Sequence, residues 1–251
     1  MQLTAIKPML AQSYDGQDVD GWLMSEKLDG VRAVWNGENF LSRNGNAFNV
    51  PEWFKSSMPS VTLDGELWMG RGRFQETVGI VRSNKPQDPR WHEIKFHVFD
   101  APMFDGGFSD RLKYCAELLE SNSVAVAVPH SRCGSVIDLH LLCSQIVADG
   151  GEGLMVRHPS SAYVQSRSNK LLKYKLTNSD EGELVSIAGK GKTLCMGISW
   201  RGMIVNIGTG FDAATKKNSP AIGSIVTFDY RGFTDSGLPR CASFVAVRDY
   251  E

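Results

Sequence analysis

Between two short β-like segments, SEKLDGVR sets Lys27 two residues ahead of Asp29-Gly30. A lysine in a strand-to-strand turn beside an acid is by itself an ordinary surface ion pair. Other parts of the chain supply residue types that would give it chemistry to do. Arg43 follows a strand in SRNG, Glu66 lies on one in LDGELW, and Phe99 and Asp100 end another in FHVFD. GEGLMVR offers Glu152, and LLKYKL presents Lys173 and Lys175. Residues two apart in a strand point the same way, so these two lysines aim their ammonium groups at one place, which asks for an anion. A lysine attacks only in its neutral form, and partial burial near cations such as Arg32, Lys173 and Lys175 favours that form. Taken singly, Phe99 reads as core, Glu66 and Glu152 as solvated strand ends and Arg43 as a turn residue. The set overturns those readings. The five histidines are not grouped at metal-ligand spacing and are given no catalytic role.

Antiparallel strands must carry these side chains. From Gly21 the sequence alternates in short segments, GWLMSE, VRAVW and NFLSR, with Asn36-Gly37 as a tight hairpin signal. Further strands are predicted over residues 61–68 and 94–100. Ser109 is predicted to cap a helix whose apolar face holds Leu112, Cys115, Leu118 and Leu119. Ser135 with Asp138 starts a second helix, ended by Gly150-Gly151. Past Lys175 the run TNSDEGE is polar. Short β-like runs follow at 184–188, 202–207, 222–230 and Ser243–Val247, enough for a small closed barrel or sandwich, the five-stranded oligonucleotide-binding barrel being one choice of suitable size. A domain boundary is placed near residues 176–180, dividing the chain into 1–176 and 177–251.

Composition narrows the classes. The 251 residues suffice for one large domain or two unequal ones. With 42% apolar and 22% charged residues, bulk disorder, collagen-like repeats and coiled coil are excluded. The net charge is −1, so a nucleic-acid contact needs a local basic face. Two candidates exist: Lys190, Lys192, Arg201, Lys216 and Lys217 against Asp212 alone within 189–217, and Arg71 and Arg73 in GRGRF. The five cysteines lack CxxC pairs and read as reduced thiols. MQLTAIKPML has no signal-type apolar stretch and no run approaches the ~20 residues of a membrane span, so the expectation is a cytoplasmic protein with no membrane partner, or a periplasmic one whose leader has been removed.

In order and approximate spacing, the segments from Lys27 to Lys175 resemble nucleotidyltransferase motifs I, III, IIIa, IV and V of the ATP-dependent DNA ligases, whose superfamily includes RNA ligases and mRNA capping enzymes. PRCASFVAVRD resembles motif VI, with Arg240, Phe244 and Arg248 at its spacing, although Cys241-Ala242 stands where Phe-Pro is common. The compact plan is similar to minimal bacterial E-type and small viral or phage ligases, with no extra N-terminal DNA-binding domain expected. The resemblance implies an α+β fold: an adenylation (nucleotidyltransferase) domain of antiparallel sheets and helices, then a small all-β OB-fold barrel. It implies ATP, with AMP carried covalently on Lys27, and Mg²⁺ or Mn²⁺ held by Glu66 and Glu152. Ser25 would read the adenine edge, Phe99 would stack on the base, and Arg43 and Glu66 would contact the ribose. Lys173 and Lys175 would hold the phosphate, and Arg240 and Arg248 would orient the pyrophosphate from the barrel. The implied activity is sealing of nicked double-stranded DNA by a monomer through lysyl-AMP and DNA-adenylate. An RNA ligase or capping-type guanylyltransferase is the nearest alternative, and a catalytically silent DNA-end-binding module is the one from a different class.

Overall fold

The computed structural model describes residues 6–83, 85–176, 178–234 and 236–248. Thr177, at the expected start of the second domain, and Asp249 of the C-terminal motif lie outside the described residues. The chain divides into two compact units after Lys175.

The first unit runs β1 (Leu10–Ser13), β2 (Leu23–Glu26), β3 (Val31–Trp35), β4 (Phe40–Leu41), α1 (Glu52–Ser56), β5 (Leu63–Trp68), α2 (Phe74–Val81), β6 (Lys95–Asp100), α3 (Phe108–Leu118), β7 (Ala125–Ala127), β8 (Ser131–Arg132), α4 (Val136–Ala148), β9 (Leu154–Arg157) and β10 (Arg167–Tyr174). It forms two five-stranded sheets, β1-β10-β9-β2-β8 and β4-β3-β5-β6-β7. All pairings are antiparallel except β1 with β10 and β6 with β7. In the second sheet alternate residues face an aromatic core in which Phe40 meets Trp35, Phe54 and Phe96 at ring separations of 4.8, 5.6 and 5.0 Å. The residues facing the other way, Arg32, Glu66 and Phe99, are left to look toward the first sheet. Asn36-Gly37 makes the expected turn: Gly37 has φ +98° and the Asn36 carboxamide accepts from the amides of Glu38 and Asn39 at 3.0 and 2.7 Å.

Ser135 caps α4 as predicted, accepting from Asp138 at 3.2 Å. Ser109 does not cap α3. The cap position is Gly107, whose amide donates to Asp110 at 2.9 Å, while Ser109 lies inside the first turn and donates to the Pro159 carbonyl.

The second unit contains β11 (Asn178–Ala188), β12 (Cys195–Trp200), β13 (Met203–Ile207), α5 (Ala213–Lys217), β14 (Ile225–Tyr230) and β15 (Ser243–Val247) in one sheet ordered β13-β12-β11-β14-β15. The polar run after Thr177 is therefore not a loop. It is the first half of an eleven-residue strand paired with β14. β12 escapes sequence reading because CMGISW has no clean alternation. It is buried almost throughout, beneath a core that includes Trp200, Phe228 and Phe244. The order is that of the expected OB-like fold: among the described residues the ladders run from β13 to β15, and Phe244 of β15 donates its amide to the carbonyl of Thr209 just past β13. Among the described residues no helix is long and apolar enough to cross a membrane.

Candidate active site

The two sheets of the first unit enclose a cavity of about 190 Å³. Cross-strand register sets Ser25, Met155 and Lys173 side by side on one wall, because Ser25 pairs with Met155 and Met155 with Lys173. Arg32, Glu66 and Phe99 form the facing wall, and Arg32 lies opposite Glu66 in the β3–β5 ladder. Lys27 stands at the edge where β2 ends. Its amide donates to the carbonyl of Gly153 at 2.8 Å, which stitches the turn after β2 to the loop before β9. Gly30 permits the return into β3: a Cβ there would lie 2.5 Å from the Leu67 carbonyl.

Nζ of Lys27 binds Oε2 of Glu152, and Nζ of Lys175 binds Oε1 of the same carboxylate. Lys175 lies one residue beyond the end of β10, so its reach to this point depends on the chain leaving the strand after Tyr174. Arg32 does not flank Lys27 as a free cation. Its guanidinium grips Asp64, Nε to Oδ1 at 2.7 Å and Nη2 to Oδ2 at 2.6 Å, and lies 4.6 Å over the Phe99 ring. Burial opposes that cation, but Asp64 more than compensates and holds its pKa above the ordinary value. Tyr163 donates to Asp64 at 2.7 Å, and burial together with that carboxylate pushes its hydroxyl pKa up. Glu66, with Arg32 drawn off to Asp64, is pushed up to about 7 by burial, against the opposing pull of Arg32 and Lys27.

Beneath Phe99, Asp100 is fully buried and takes Arg111 at 2.6 Å and Arg157 on its other oxygen. Arg157 also donates to Ser161 at 3.1 Å and covers the Phe108 ring at 4.2 Å. Sequence reading missed Asp64, Arg111, Arg157, Tyr163 and His130. For Asp64 a signal existed, since it lies two residues before Glu66 on the same face. Arg111 looked like a solvated helix residue, and nothing local marks it as buried.

Other expected residues are placed elsewhere. Arg43 is exposed and lines a separate hollow with Lys7 and Gln165. Arg71 makes two bonds to Glu26, at 2.8 and 2.9 Å, and Arg73 pairs with Glu76 and Glu93, so GRGRF is not a free basic face. In the second unit Lys190 caps and Lys192 lies within the 3-10 turn Gly191–Thr193, against which α5 packs, bringing Lys216 and Lys217 to the same region. All four are exposed. Arg201 stands apart in the β12–β13 hairpin, paired with Asp180 at 3.3 Å and 4.5 Å over Trp200. Arg240 is exposed, with its amide bound to Gly232. Arg248 pairs with Glu181, and Phe244 is core.

Among the described residues no three His, Cys, Asp or Glu side chains group as a complete metal site. The donor set fits a cation that shares its shell with phosphate oxygens and water. Glu66 is a half-buried carboxyl whose desolvation outweighs the pull of Arg32 and Lys27, and Glu152 is a carboxylate already neutralised by two ammonium groups. Either could exchange proton or ammonium for a hard divalent ion.

Residues 8–175 match the family model described as ATP dependent DNA ligase domain, and residues 189–248 match a DNA ligase OB-like domain. A DNA ligase of Haemophilus influenzae is 36% identical over 244 residues, covering 94% of this chain and 90% of the relative. A structure from a study of Lig E DNA ligases is 36% identical with a TM-score of 0.88, covering 97% of this chain and all of the other. The Chlorella virus DNA ligase-adenylate, 22% identical with a TM-score of 0.61 and coverage of 98% and 99%, shares the fold.

Proposed function

Because the chain belongs to the ATP-dependent DNA ligases, we propose that it seals nicks in duplex DNA through AMP carried on Lys27. The observation that carries this reading is the contact of Lys27 with Glu152 at the mouth of a pocket that also holds Phe99 and Lys173. Nζ gives up a proton to a carboxylate and bonds to the α-phosphorus of ATP as the bond to pyrophosphate breaks. AMP then passes to the 5′-phosphate of the nick, and the 3′-hydroxyl displaces it. Phe99, backed by Arg32, takes the base. Lys173 and Lys175 bind phosphate oxygens, and Ser25 meets the base edge. Glu66 and Glu152 would hold Mg²⁺ or Mn²⁺, which would supply positive charge against the phosphate. Lys190, Lys192, Lys216 and Lys217 contact DNA phosphates without reading sequence, and the enzyme works as a monomer.

Incubation with α-labelled ATP and Mg²⁺ tests this. Label that survives denaturation in the native protein and is absent from Lys27→Ala supports the reading. No label in either overturns it, and label from GTP in place of ATP would indicate a capping-type guanylyltransferase.

A further inference from the structure

One polar group in the pocket has no task in the reaction above. His130 lines the cavity beside Val128, Phe108 and Arg157. Its Nδ1 lies 2.8 Å from the carbonyl of Val128. A carbonyl only accepts, so Nδ1 carries the ring proton and Nε2 is left as an acceptor. The ring meets Phe108 edge-on at 5.4 Å, which fixes its plane. Neighbouring cations are already committed: Arg157 to Asp100 and Ser161, Arg32 to Asp64. The Ser25 hydroxyl can donate or accept, and so cannot tell one base from another. Asp100 follows Phe99 in the chain and binds Arg157, which covers Phe108, so His130 belongs to the Phe99 end of the pocket.

We propose that Nε2 of His130 accepts a hydrogen bond from the 6-amino group of adenine and thereby selects adenine over guanine, an assignment that rests on the Lys27 reading. Guanine carries an oxygen at the same position, and its lone pairs would face those of Nε2, leaving two acceptors unpaired in a buried site. Burial lowers the His130 pKa to about 4 despite the bond to Val128, so the ring stays neutral and remains an acceptor at physiological pH.

The test measures KM and kcat for lysyl-nucleotide formation by the full chain with ATP, GTP and purine riboside triphosphate, which lacks the 6-amino group. Deleting that group should raise KM about tenfold in the native protein with little change in kcat, and should cost His130→Ala nothing further. His130→Gln, whose amide can also donate to an oxygen, should narrow the preference for ATP over GTP. Equal penalties for purine riboside triphosphate in the native protein and His130→Ala overturn the assignment, as does equal native use of ATP and GTP. Should His130→Ala fail to fold, His130→Gln decides by the ATP and GTP comparison alone, and an ATP preference unchanged from native overturns the assignment. Native protein that takes no label from any nucleotide overturns the Lys27 reading, and this one with it.

Discussion

Nζ of Lys27 rests against Oε2 of Glu152, a residue 125 positions further along the chain. The ammonium and its carboxylate are thus brought together by the first sheet, with Lys175 closing the other side of the same carboxylate. Glu152→Gln keeps the shape and removes the charge. Lysyl-AMP formation should fall by about 10² to 10³ while the thermal melt moves little. A rate within threefold of native would remove Glu152 from the chemistry.

Phe99 carries Arg32 on one face, at 4.6 Å. Phe99→Ala should therefore weaken ATP use by about 1 to 3 kcal/mol and leave sealing of pre-adenylated nicked DNA less affected. Comparison of the two assays checks this, and equal losses would mean that the ring does not stack on the base.

The Glu66 carboxyl is raised from 4.5 to about 7. An acid whose folded pKa is raised binds its proton more tightly in the native state, so its contribution to stability is neutral below about pH 4.5 and becomes unfavourable as pH climbs to about 7. Urea titrations should show Glu66→Gln gaining stability relative to native across that window, on the order of 2 kcal/mol by its upper end. A pH-independent difference would place the raised acid elsewhere.

Asp100 holds Arg111 and Arg157 in a site with no solvent exposure of its carboxylate. Asp100→Asn would leave two cations poorly compensated and should cost about 3 to 5 kcal/mol of unfolding free energy. A urea midpoint close to native would show that the arginines find other partners.

Lys216 and Lys217 are exposed at the end of α5, whereas Arg201 is bound to Asp180. Replacing both lysines with Gln should reduce the slope of log affinity for nicked duplex against log salt by about 2, and Arg201→Gln should change it less. The reverse order would move the DNA contact to the hairpin.

The sequence disclosed more of the proposed reaction centre than of its supports. Lys27, Glu66, Phe99, Glu152 and Lys173 were legible as candidates because a chemical requirement suggests their types and because strands project alternate side chains together. Asp64, Tyr163 and Arg157 act through distant partners, Tyr163 reaching Asp64 across 99 positions, and no local pattern reveals such a pairing. Strand alternation located β3, β5, β6 and β14, whereas β12, buried on both faces, and β7 and β8, with three and two residues, carried too little periodicity to detect. The pairing of Arg71 with Glu26 was hidden for the same reason as that of Asp64: charge counts do not show which charges are already matched.

The amide of Lys27 donates to the carbonyl of Gly153, and Gly153, at φ +145°, passes so near Tyr174 that any side chain would collide with the carbonyl of that residue. Main chain, therefore, sets the gap across which Lys27 and Glu152 meet. Loops in the long intervening stretch are free to lengthen or shorten over evolutionary time without altering that spacing, while a single added methyl at position 153 would pry Lys27 and Glu152 apart.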